Sequence, residues 1–508
     1  MLYKLRTPVA GVIILSALLH LLTAIFSIGY IHPDEHFQIL EFIRYHSAPD
    51  APMVWEFHNK IRSYALPAFL YFIQQALWYI GITDAYDTVL VFRLISSALS
   101  FSATLLLLIT AQTWLNTRKS KANNSKYLLL TAGLLFLHYQ IPFIHARVQN
   151  ENWGASLFII GTALLFFNRR ATQKHIYTAP LAAGFLLGLA FLFRFQILVM
   201  IGPLMLWLWV FGKRHFSELS LISGGIILAV IAGVFVDRWG YGSYTFSFWN
   251  YFKSNILNSE LDKHGVAPFY YYITNYIGRD NNIINLTVVL FTFSGWLMFP
   301  KHVLTWITAP FFLIHSYIGH KEMRFLIPIL PFCLLYIPLM VAHLQDKVPG
   351  VFKILHLKTA KVIFYLMMFS NAIGLLILAF NPANKKIGLL EFLNSRPEIR
   401  KVYFIEHDNL NISDLQNHHF YPPIPEFIPT PPALIQKQDS SFHLEENYVF
   451  TSSYQDYIDV LQKRRCDILY QRDMIYLIHD LYCRLYLLQP QKGRETLFTL
   501  FKCYPSGQ

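Results

Sequence analysis

Two adjacent carboxylates, Asp34 and Glu35, stand at the start of the chain's first polar segment, directly after an apolar block. Acidic residues beside a block of membrane-spanning length are costly and often functional. A carboxylate in this position can accept a proton from a hydroxyl group. The plainer alternative is a helix N-terminus that Pro33 opens and both carboxylates stabilise. His32 and Gln38 flank the pair and are candidates for binding the substrate.

A second polar cluster lies much later in the chain, where His320, Lys321 and Arg324 fall within one short link between apolar blocks. Lysine and arginine form charge-assisted hydrogen bonds with phosphate, so the cluster predicts a phosphate-binding site. The alternative is a group of snorkelling side chains at the membrane edge. Arg147 is a further candidate for the same phosphate. Other residues that could join this pocket are Asn150, Glu151 and Arg194.

Aromatic side chains accompany charged ones in the segments 55–64 and 237–272. Tyrosine and tryptophan have flat faces with polar tips, which suits the binding of a sugar ring. The same residue types are also typical of an ordinary anchor at the membrane interface, and both interpretations stay open. The candidates for substrate binding in these segments are Arg62, Tyr64, Asp237, Tyr241 and Tyr271.

These residues must be positioned by long apolar elements. Of the 508 residues, 54% are hydrophobic and only 14% are charged. A soluble protein of this composition would expose large apolar patches, which soluble monomers avoid. The net charge of +12 fits basic residues in cytoplasmic loops, because the basic, aromatic-interleaved segment of a nucleic-acid-binding protein is missing from the sequence. The composition predicts a membrane protein whose partner is the lipid bilayer. Binding of nucleic acid is not expected.

Twelve apolar blocks predict the membrane topology. Clusters of lysine and arginine mark the cytoplasmic loops, and they agree only if the block 65–82 is a juxtamembrane or re-entrant segment. The result is about eleven crossings, with the N-terminus inside and the C-terminus outside. The outer face then collects the loops 31–64, 237–282 and 319–324, which hold candidate residues of the site. The blocks lie near 8–30, 65–82, 88–114, 127–143, 153–168, 178–193, 197–212, 218–236, 283–299, 302–318, 325–343 and 361–380.

Residues 381–508 differ in character from the membrane region 1–380. Short β-like runs at Val402–Ile405 and Tyr448–Thr451 precede helix-like periodicity over 453–487. This pattern predicts a small exterior α/β domain. Three of the four cysteines lie here, so one disulfide could form, although the spacing implies none. The fourth cysteine lies in an apolar run and is expected in the core.

The polar segments around Asp34, Asp237 and Arg324 resemble those of glycosyltransferase family 22, the lipid-dependent mannosyltransferases. The likeness is strongest to the glycosylphosphatidylinositol group of this family. The likeness extends over about residues 8–345. Together with the apolar blocks it predicts an all-α polytopic membrane protein of the GT-C type, with about eleven spanning helices, a re-entrant segment and a small α/β exterior C-terminal domain. The segments that carry it are His32-Pro33-Asp34-Glu35-His36-Phe37-Gln38 with Arg62-Ser63-Tyr64, the turn Asp237 to Gly242, and His320-Lys321-Glu322-Met323-Arg324-Phe325.

The resemblance implies a polyprenyl or dolichyl phosphate sugar as donor, a glycolipid acceptor and inversion at the anomeric carbon. The phosphate leaves without protonation, so the reaction needs one base and cations that hold the phosphate. Asp34 is the predicted base, Glu35 its support, and His320, Lys321, Arg324 and Arg147 the phosphate ligands. No cofactor is expected, and the need for a divalent metal stays open.

The resemblance also implies a location. A eukaryotic member belongs in the endoplasmic reticulum membrane, and a bacterial member in the cytoplasmic (inner) membrane. Two other functions stay open from the sequence: a membrane transporter and a non-catalytic protein of the same fold. A transporter should show repeats and charges in the middle of its spans, whereas the charges of this chain gather at one face.

Overall fold

The computed structural model describes residues 7–49, 52–116, 124–167, 177–258, 260–278, 282–348, 350, 358–405, 418–422, 425–430, 447–451, 461, 466–471 and 499–504. Its longer helices are Thr7–Phe26, Ala65–Tyr79, Ala85–Asn116, Asn124–Leu137, Asn150–Phe167, Thr178–Phe193, Leu198–Val210, Phe216–Tyr241, Asn282–Met298, Val303–Tyr317, Tyr336–Lys347, Lys358–Phe380 and Lys385–Asn394. Shorter helical segments are Pro33–Glu35, His36–Leu40, Glu41–Tyr45, Trp55–His58, Ile141–His145, Phe195–Ile197, Ser247–Phe252, Lys253–Leu257, Glu260–His264, Tyr271–Gly278, Met323–Ile329 and Leu330–Leu334.

A helix coincides with every predicted apolar block, because a backbone in lipid must satisfy its hydrogen bonds internally. The prediction of a helical polytopic membrane protein is confirmed. Asn282–Met298 and Val303–Tyr317 meet at a bend of 118° and add a sixth span if they count as one. Five described helices are long and apolar enough to cross a bilayer alone: Thr7–Phe26, Ala85–Thr113, Phe216–Tyr241, Met323–Lys347 and Lys358–Phe380.

Two neighbouring helices, Thr178–Phe193 and Phe216–Tyr241, pack with their backbones almost in contact. A Cβ atom on Gly184 would lie 2.0 Å from the carbonyl oxygen of Ile222. A Cβ atom on Gly225 would lie 2.2 Å from a carbonyl oxygen of the other helix. Because lipid removes the hydrophobic drive between helices, such contacts between small residues hold membrane helices together.

We expect Gly225→Ala to destabilise the protein by about 1–3 kcal/mol, since the new methyl group must push the two helices apart. Gly224→Ala is the matched control, because its Cβ would meet no atom nearer than 3.9 Å. It should be neutral or slightly stabilising, as alanine favours a helix over glycine. Thermal unfolding in detergent checks both variants. Equal melting temperatures for the two would contradict the close packing.

Five strands form a small sheet in the C-terminal region, in the order β2-β1-β3-β5-β4. β1 is parallel to β2 and β3, and β5 is antiparallel to β3 and β4. The predicted runs near 402 and 448 are confirmed as β1 and β3. The strands are β1 Lys401–Ile405, β2 Glu426–Thr430, β3 Asn447–Thr451, β4 Cys466–Gln471 and β5 Thr499–Cys503.

The helix predicted over 453–487 is wrong at Cys466–Gln471, which is a strand. Apolar residues in a short run fit either period, and here pairing with β5 decides the outcome. The rest of that range, apart from Leu461, lies outside the described residues.

A disulfide joins Cys466 to Cys503 at the facing ends of β4 and β5. Disulfides persist in oxidising compartments and are rare in the cytosol, which accords with the predicted exterior position of this region. Cys333 is a free cysteine and is buried, so its expected place in the core is confirmed.

The described segment 418–422 packs against the first polar segment. The backbone N–H of Phe420 donates to Glu41 Oε1 at 2.9 Å. The hydroxyl of Tyr30 lies 2.8 Å from His418 Nε2. These contacts connect the region that follows the last membrane helix to the residues around Asp34.

Candidate active site

Asp34 stands in the first turn of the short helix Pro33–Glu35. His32 caps this helix, because its Nδ1 accepts the backbone N–H of Asp34 at 3.2 Å. Proline at the first position fixes a helical φ angle in advance. The helix N-terminus that the sequence offered as the plainer alternative is therefore present. It leaves the Asp34 side chain 19% exposed, which keeps the carboxylate accessible.

Arg324 joins the two predicted clusters. Its Nη2 donates to Asp34 Oδ2 at 2.7 Å, across 290 positions of sequence. Its Nε donates to Glu322 Oε2, and its Nη1 lies 3.6 Å from Glu151 Oε1. All three guanidinium nitrogens thus face carboxylates. Nη2 of Arg62 lies 3.8 Å from the same oxygen of Asp34.

The cations decide the charge state of these carboxylates. Burial opposes the charged form of Asp34, but the hydrogen bond with His32 and the charges of Arg324 and Arg62 outweigh it. The pKa of Asp34 therefore lies well below its usual range. Burial also opposes the charged form of Glu322, and its contacts with Arg324 lower its pKa to about 2. Both carboxylates are ionised at neutral pH.

Glu151 and Arg194 form an ion pair beside Arg324. Arg194 Nη2 is 3.2 Å from Glu151 Oε1, and both side chains are almost completely buried. The sequence placed these two residues near the pocket without a role. The signal was present, since a carboxylate and a guanidinium beside apolar blocks are costly unless they find a partner.

Glu35 and Arg147 support the backbone of the first polar segment. Glu35 Oε1 accepts the N–H of Ile31 at 2.9 Å, and burial raises the pKa of Glu35. Arg147 donates to the carbonyl oxygens of Gly29 at 2.8 Å and Ser27 at 2.5 Å. Both side chains hold the chain where it leaves the first membrane helix.

Lys321 and His320 also contact the protein itself. The ammonium of Lys321 donates to the carbonyl oxygens of Ala267 at 2.7 Å and Ile318 at 2.6 Å. His320 Nε2 lies 3.0 Å from Glu322 Oε1. Lys321 thereby connects the segments around Ala267 and Ile318, whereas Arg324 alone of the predicted phosphate ligands contacts Asp34. Phosphate binding by Lys321, His320 and Arg147 stays a prediction.

Asp237 organises the loop that carries Arg62. Its Oδ1 accepts the N–H of Tyr64 at 2.7 Å, and its Oδ2 accepts the hydroxyl of Ser247 at 2.5 Å. The hydroxyl of Tyr241 donates to the carbonyl oxygen of Arg62 at 2.7 Å. Asp237, Tyr64 and Tyr241 therefore hold Arg62 in place, and direct contact with substrate stays a prediction for each.

The two remaining predicted residues, Gln38 and Tyr271, contact neighbouring side chains. Gln38 is buried, and its Nε2 donates to Glu56 Oε1 at 3.0 Å. Tyr271 is half-buried and packs its ring against Tyr272, with 5.7 Å between ring centroids. Tyr272 in turn lines a cavity.

This cavity has a volume of about 280 Å³ and begins at Arg324 and Ile31. From there it extends between the membrane helices, and most of its lining side chains are apolar. Such a shape suits a long hydrocarbon whose polar head lies at Arg324. Its apolar lining includes Phe143, Ile144, Val288, Val289, Phe293, Trp296, Phe312, Leu326, Ile327 and Leu330.

Comparison with known sequences gives the family. A profile of the Alg9-like mannosyltransferase family matches residues 12–422, four fifths of the chain. The chain belongs to the Alg9-like mannosyltransferase family. The resemblance to glycosyltransferase family 22 is thereby confirmed, and every predicted site residue of this Alg9-like chain lies inside the matched range.

Two relatives of this Alg9-like chain share a quarter of its residues in the aligned part. GPI alpha-1,2-mannosyltransferase 3 of Xenopus laevis is 25% identical over 310 residues, which cover 60% of this chain and 55% of the relative. GPI mannosyltransferase 4 of Saccharomyces cerevisiae is 25% identical over 334 residues, which cover 60% and 58%. The chain thus matches little more than half the length of these relatives.

Among solved structures, the Alg9-like chain is similar to ArnT from Cupriavidus metallidurans. The apo structure aligns with a TM-score of 0.48 and 11% identity. The structure bound to undecaprenyl phosphate aligns with a TM-score of 0.49 and 10% identity. Both alignments cover 97% of each chain.

Proposed function

We propose that this protein transfers a mannosyl or related glycosyl residue from a polyprenyl or dolichyl phosphate sugar to a lipid-linked glycan. The transfer takes place on the non-cytosolic face of the membrane. Membership of a mannosyltransferase family favours this reaction over transport. The observation that supports it most directly is the apolar cavity, which ends at Arg324, the residue that is hydrogen-bonded to Asp34.

The arrangement matches the parts of the donor in order. A polyprenyl chain would occupy the apolar cavity, its phosphate would lie at Arg324, and the sugar would extend toward Asp34. Because the guanidinium already faces three carboxylates, the phosphate must take over one of these contacts. Release from Arg324 makes Asp34 more basic, since that cation lowers its pKa. Arrival of the donor would thereby prepare the base.

The proposed step is a single inverting displacement. The acceptor hydroxyl oxygen forms a bond to the anomeric carbon while the bond from that carbon to the phosphate oxygen breaks. The electron pair of the broken bond leaves with the polyprenyl phosphate, which Arg324 stabilises. The hydroxyl proton moves to Asp34. Glu35 acts only by supporting the backbone beside Asp34.

The proposal extends to the organisation of the chain. Residues 1–380 form the catalytic membrane domain, with the site built from the outer loops, and residues 381–508 lie outside. The disulfide in the C-terminal sheet supports the exterior position of residues 381–508. The membrane is that of the endoplasmic reticulum in a eukaryotic cell and the cytoplasmic membrane in a bacterium.

The test is transfer by the purified full chain in detergent. Polyprenyl phosphate mannose with a radioactive sugar is supplied with a membrane lipid extract, and the labelled product is identified. We expect label in a glycolipid and release of polyprenyl phosphate. Protein heated past unfolding is the control. Absence of transfer from every polyprenyl phosphate hexose supplied would refute the proposed reaction.

A further inference from the structure

A short helical segment, Ser247–Phe252 followed by Lys253–Leu257, covers the site beside Arg62. Its outer face exposes Trp249, Phe252 and Ile256, which are 52%, 42% and 42% exposed. Aromatic and aliphatic side chains of this kind are typical of the membrane interface. The segment therefore lies at the membrane interface and beside Arg62, within reach of a glycolipid in the membrane.

The inner face is polar. The guanidinium of Arg62 lies over the ring of Tyr251, 5.4 Å from its centroid. Gln196 Nε2 donates to the hydroxyl of Tyr251. Asn255 follows Tyr251 by one helical turn and is 5% exposed, so it points to the same interior. An arginine, two carboxamides and a phenol thus gather on one side of the segment.

Several polar atoms of this group lack a partner within the described part of the chain. They are both amide atoms of Asn255, Oε1 of Gln196, Oε1 of Gln38 and Nε of Arg62. A buried polar group without a hydrogen bond costs about 1–3 kcal/mol. Arg62 and Gln196 contact Tyr251, and Asn255 follows Tyr251 in the same segment. Gln38 is linked to them through Glu56, which lies near Arg62. Their free polar atoms indicate a surface that suits a ligand with many hydroxyl groups.

The group is separate from the hydrocarbon cavity. Arg62 reaches Asp34 at 3.8 Å, as Arg324 does at 2.7 Å. Arg324 lines the apolar cavity, whereas Arg62, Tyr251 and Asn255 do not belong to the described lining. Asp34 therefore contacts one arginine that lines the cavity and one that belongs to the polar group.

We infer that Gln196, Tyr251 and Asn255 form, with Arg62 and Gln38, the subsite that binds the sugar rings of the acceptor glycan. Carboxamides donate and accept at once, as neighbouring sugar hydroxyls do, and they determine which acceptor is bound. The acceptor hydroxyl then reaches Asp34 beside Arg62, and the phosphate lies at Arg324. The inference deepens the proposed function and rests on it.

The test uses the full chain in detergent and Asn255→Ala. One probe is a synthetic mannosyl glycolipid, and the other is the same lipid without sugar. Wild-type protein should bind the glycolipid more tightly than the bare lipid, and Asn255→Ala should reduce this preference by about three- to tenfold, as expected for one lost hydrogen bond. In transfer assays the KM for the glycolipid should rise by a similar factor, while the KM for the donor stays constant.

Asn258→Ala is the matched control, because Asn258 is exposed and directly follows the segment. Its preference should equal that of wild-type protein. The melting temperature of Asn255→Ala should stay near that of wild-type protein, since no hydrogen bond within the described structure is lost. If the alanine variant fails to fold, Asn255→Asp removes the amide donor at nearly constant shape and should give the same loss.

Two outcomes would overturn the subsite: equal binding of both probes to wild-type protein, or an unchanged preference in Asn255→Ala. The proposed function fails by a different result, the absence of sugar transfer by wild-type protein. A wild-type enzyme that transfers sugar, with Asn255→Ala equal to Asn258→Ala in acceptor KM, would remove the subsite and leave the transferase reaction in place.

Discussion

Asp34→Asn is expected to lower the rate of sugar transfer by about 100- to 10,000-fold, the usual contribution of a general base. The amide cannot take the proton of the acceptor hydroxyl. It has nearly the size of the carboxylate and still accepts a hydrogen bond from Arg324, so the fold should persist. Transfer of radioactive mannose from polyprenyl phosphate mannose measures the loss, and binding of the unlabelled donor shows that the site is still formed.

Asp87→Asn is the control for this variant, because Asp87 is an exposed aspartate outside the site. It should transfer sugar at the wild-type rate. Asp34→Glu keeps the charge but moves the carboxylate, and should retain partial activity. Transfer by folded Asp34→Asn at the rate of Asp87→Asn would assign the base to another residue. Glu322, which is hydrogen-bonded to Arg324, would then be the first candidate.

Arg324→Gln should cost both stability and activity. The replacement leaves Asp34, Glu322 and Glu151 without their shared cation, and removal of one partner from a buried ion pair costs about 3–5 kcal/mol. The Arg324 side chain is only 10% exposed, so solvent compensates little. Transfer should be lost as well, because the leaving phosphate would lack its cation.

The loss of stability should depend on pH in a defined direction. Arg324 contributes to the lowered pKa of Asp34 and Glu322. Stability from a lowered carboxylate pKa is present above the ordinary pKa of about 4 and is lost as the pH falls through the lowered value. The lowered pKa of Glu322 is about 2. The difference in melting temperature between wild-type protein and Arg324→Gln should therefore be large at about pH 7.5 and smaller at about pH 2.5.

Arg238→Gln is the matched control, because Arg238 is exposed and stacks on Tyr244 alone of the described rings. Its melting temperature should equal that of wild-type protein at both pH values. Arg324→Lys keeps the charge but loses the forked donors of the guanidinium. Its melting temperature should lie between those of wild-type protein and Arg324→Gln. A constant difference for Arg324→Gln across pH would mean that Arg324 does not stabilise these carboxylates through its charge.

The fold could be predicted from the sequence because its main signal is local. A run of apolar residues long enough to cross lipid must be helical, whatever surrounds it. The pairing of Asp34 with Arg324 was within reach for a related reason. The bias of lysine and arginine predicted that both residues lie on one face of the membrane, together with the other candidate residues of the site.

The contacts of the other cations could not be predicted in this way. Lys321 and Arg324 are three positions apart in the same link, yet one donates to loop carbonyls and the other to carboxylates. That difference depends on where the loop around Ala267 comes to lie, which no local pattern encodes. The polar face with Tyr251 and Asn255 was missed because single amide and phenol side chains have no distinctive spacing.

The hydrogen bond from Phe420 to Glu41 spans 379 positions of sequence. Glu41 is synthesised early and has the local partners His36 and Arg44, but Phe420 follows only after the intervening helices have been synthesised. The segment that carries Asp34 therefore reaches its final support only when the ribosome has passed residue 420. A nascent chain that stalls inside the membrane region lacks this support, so the segment around Asp34 is completed only after the membrane helices have been made.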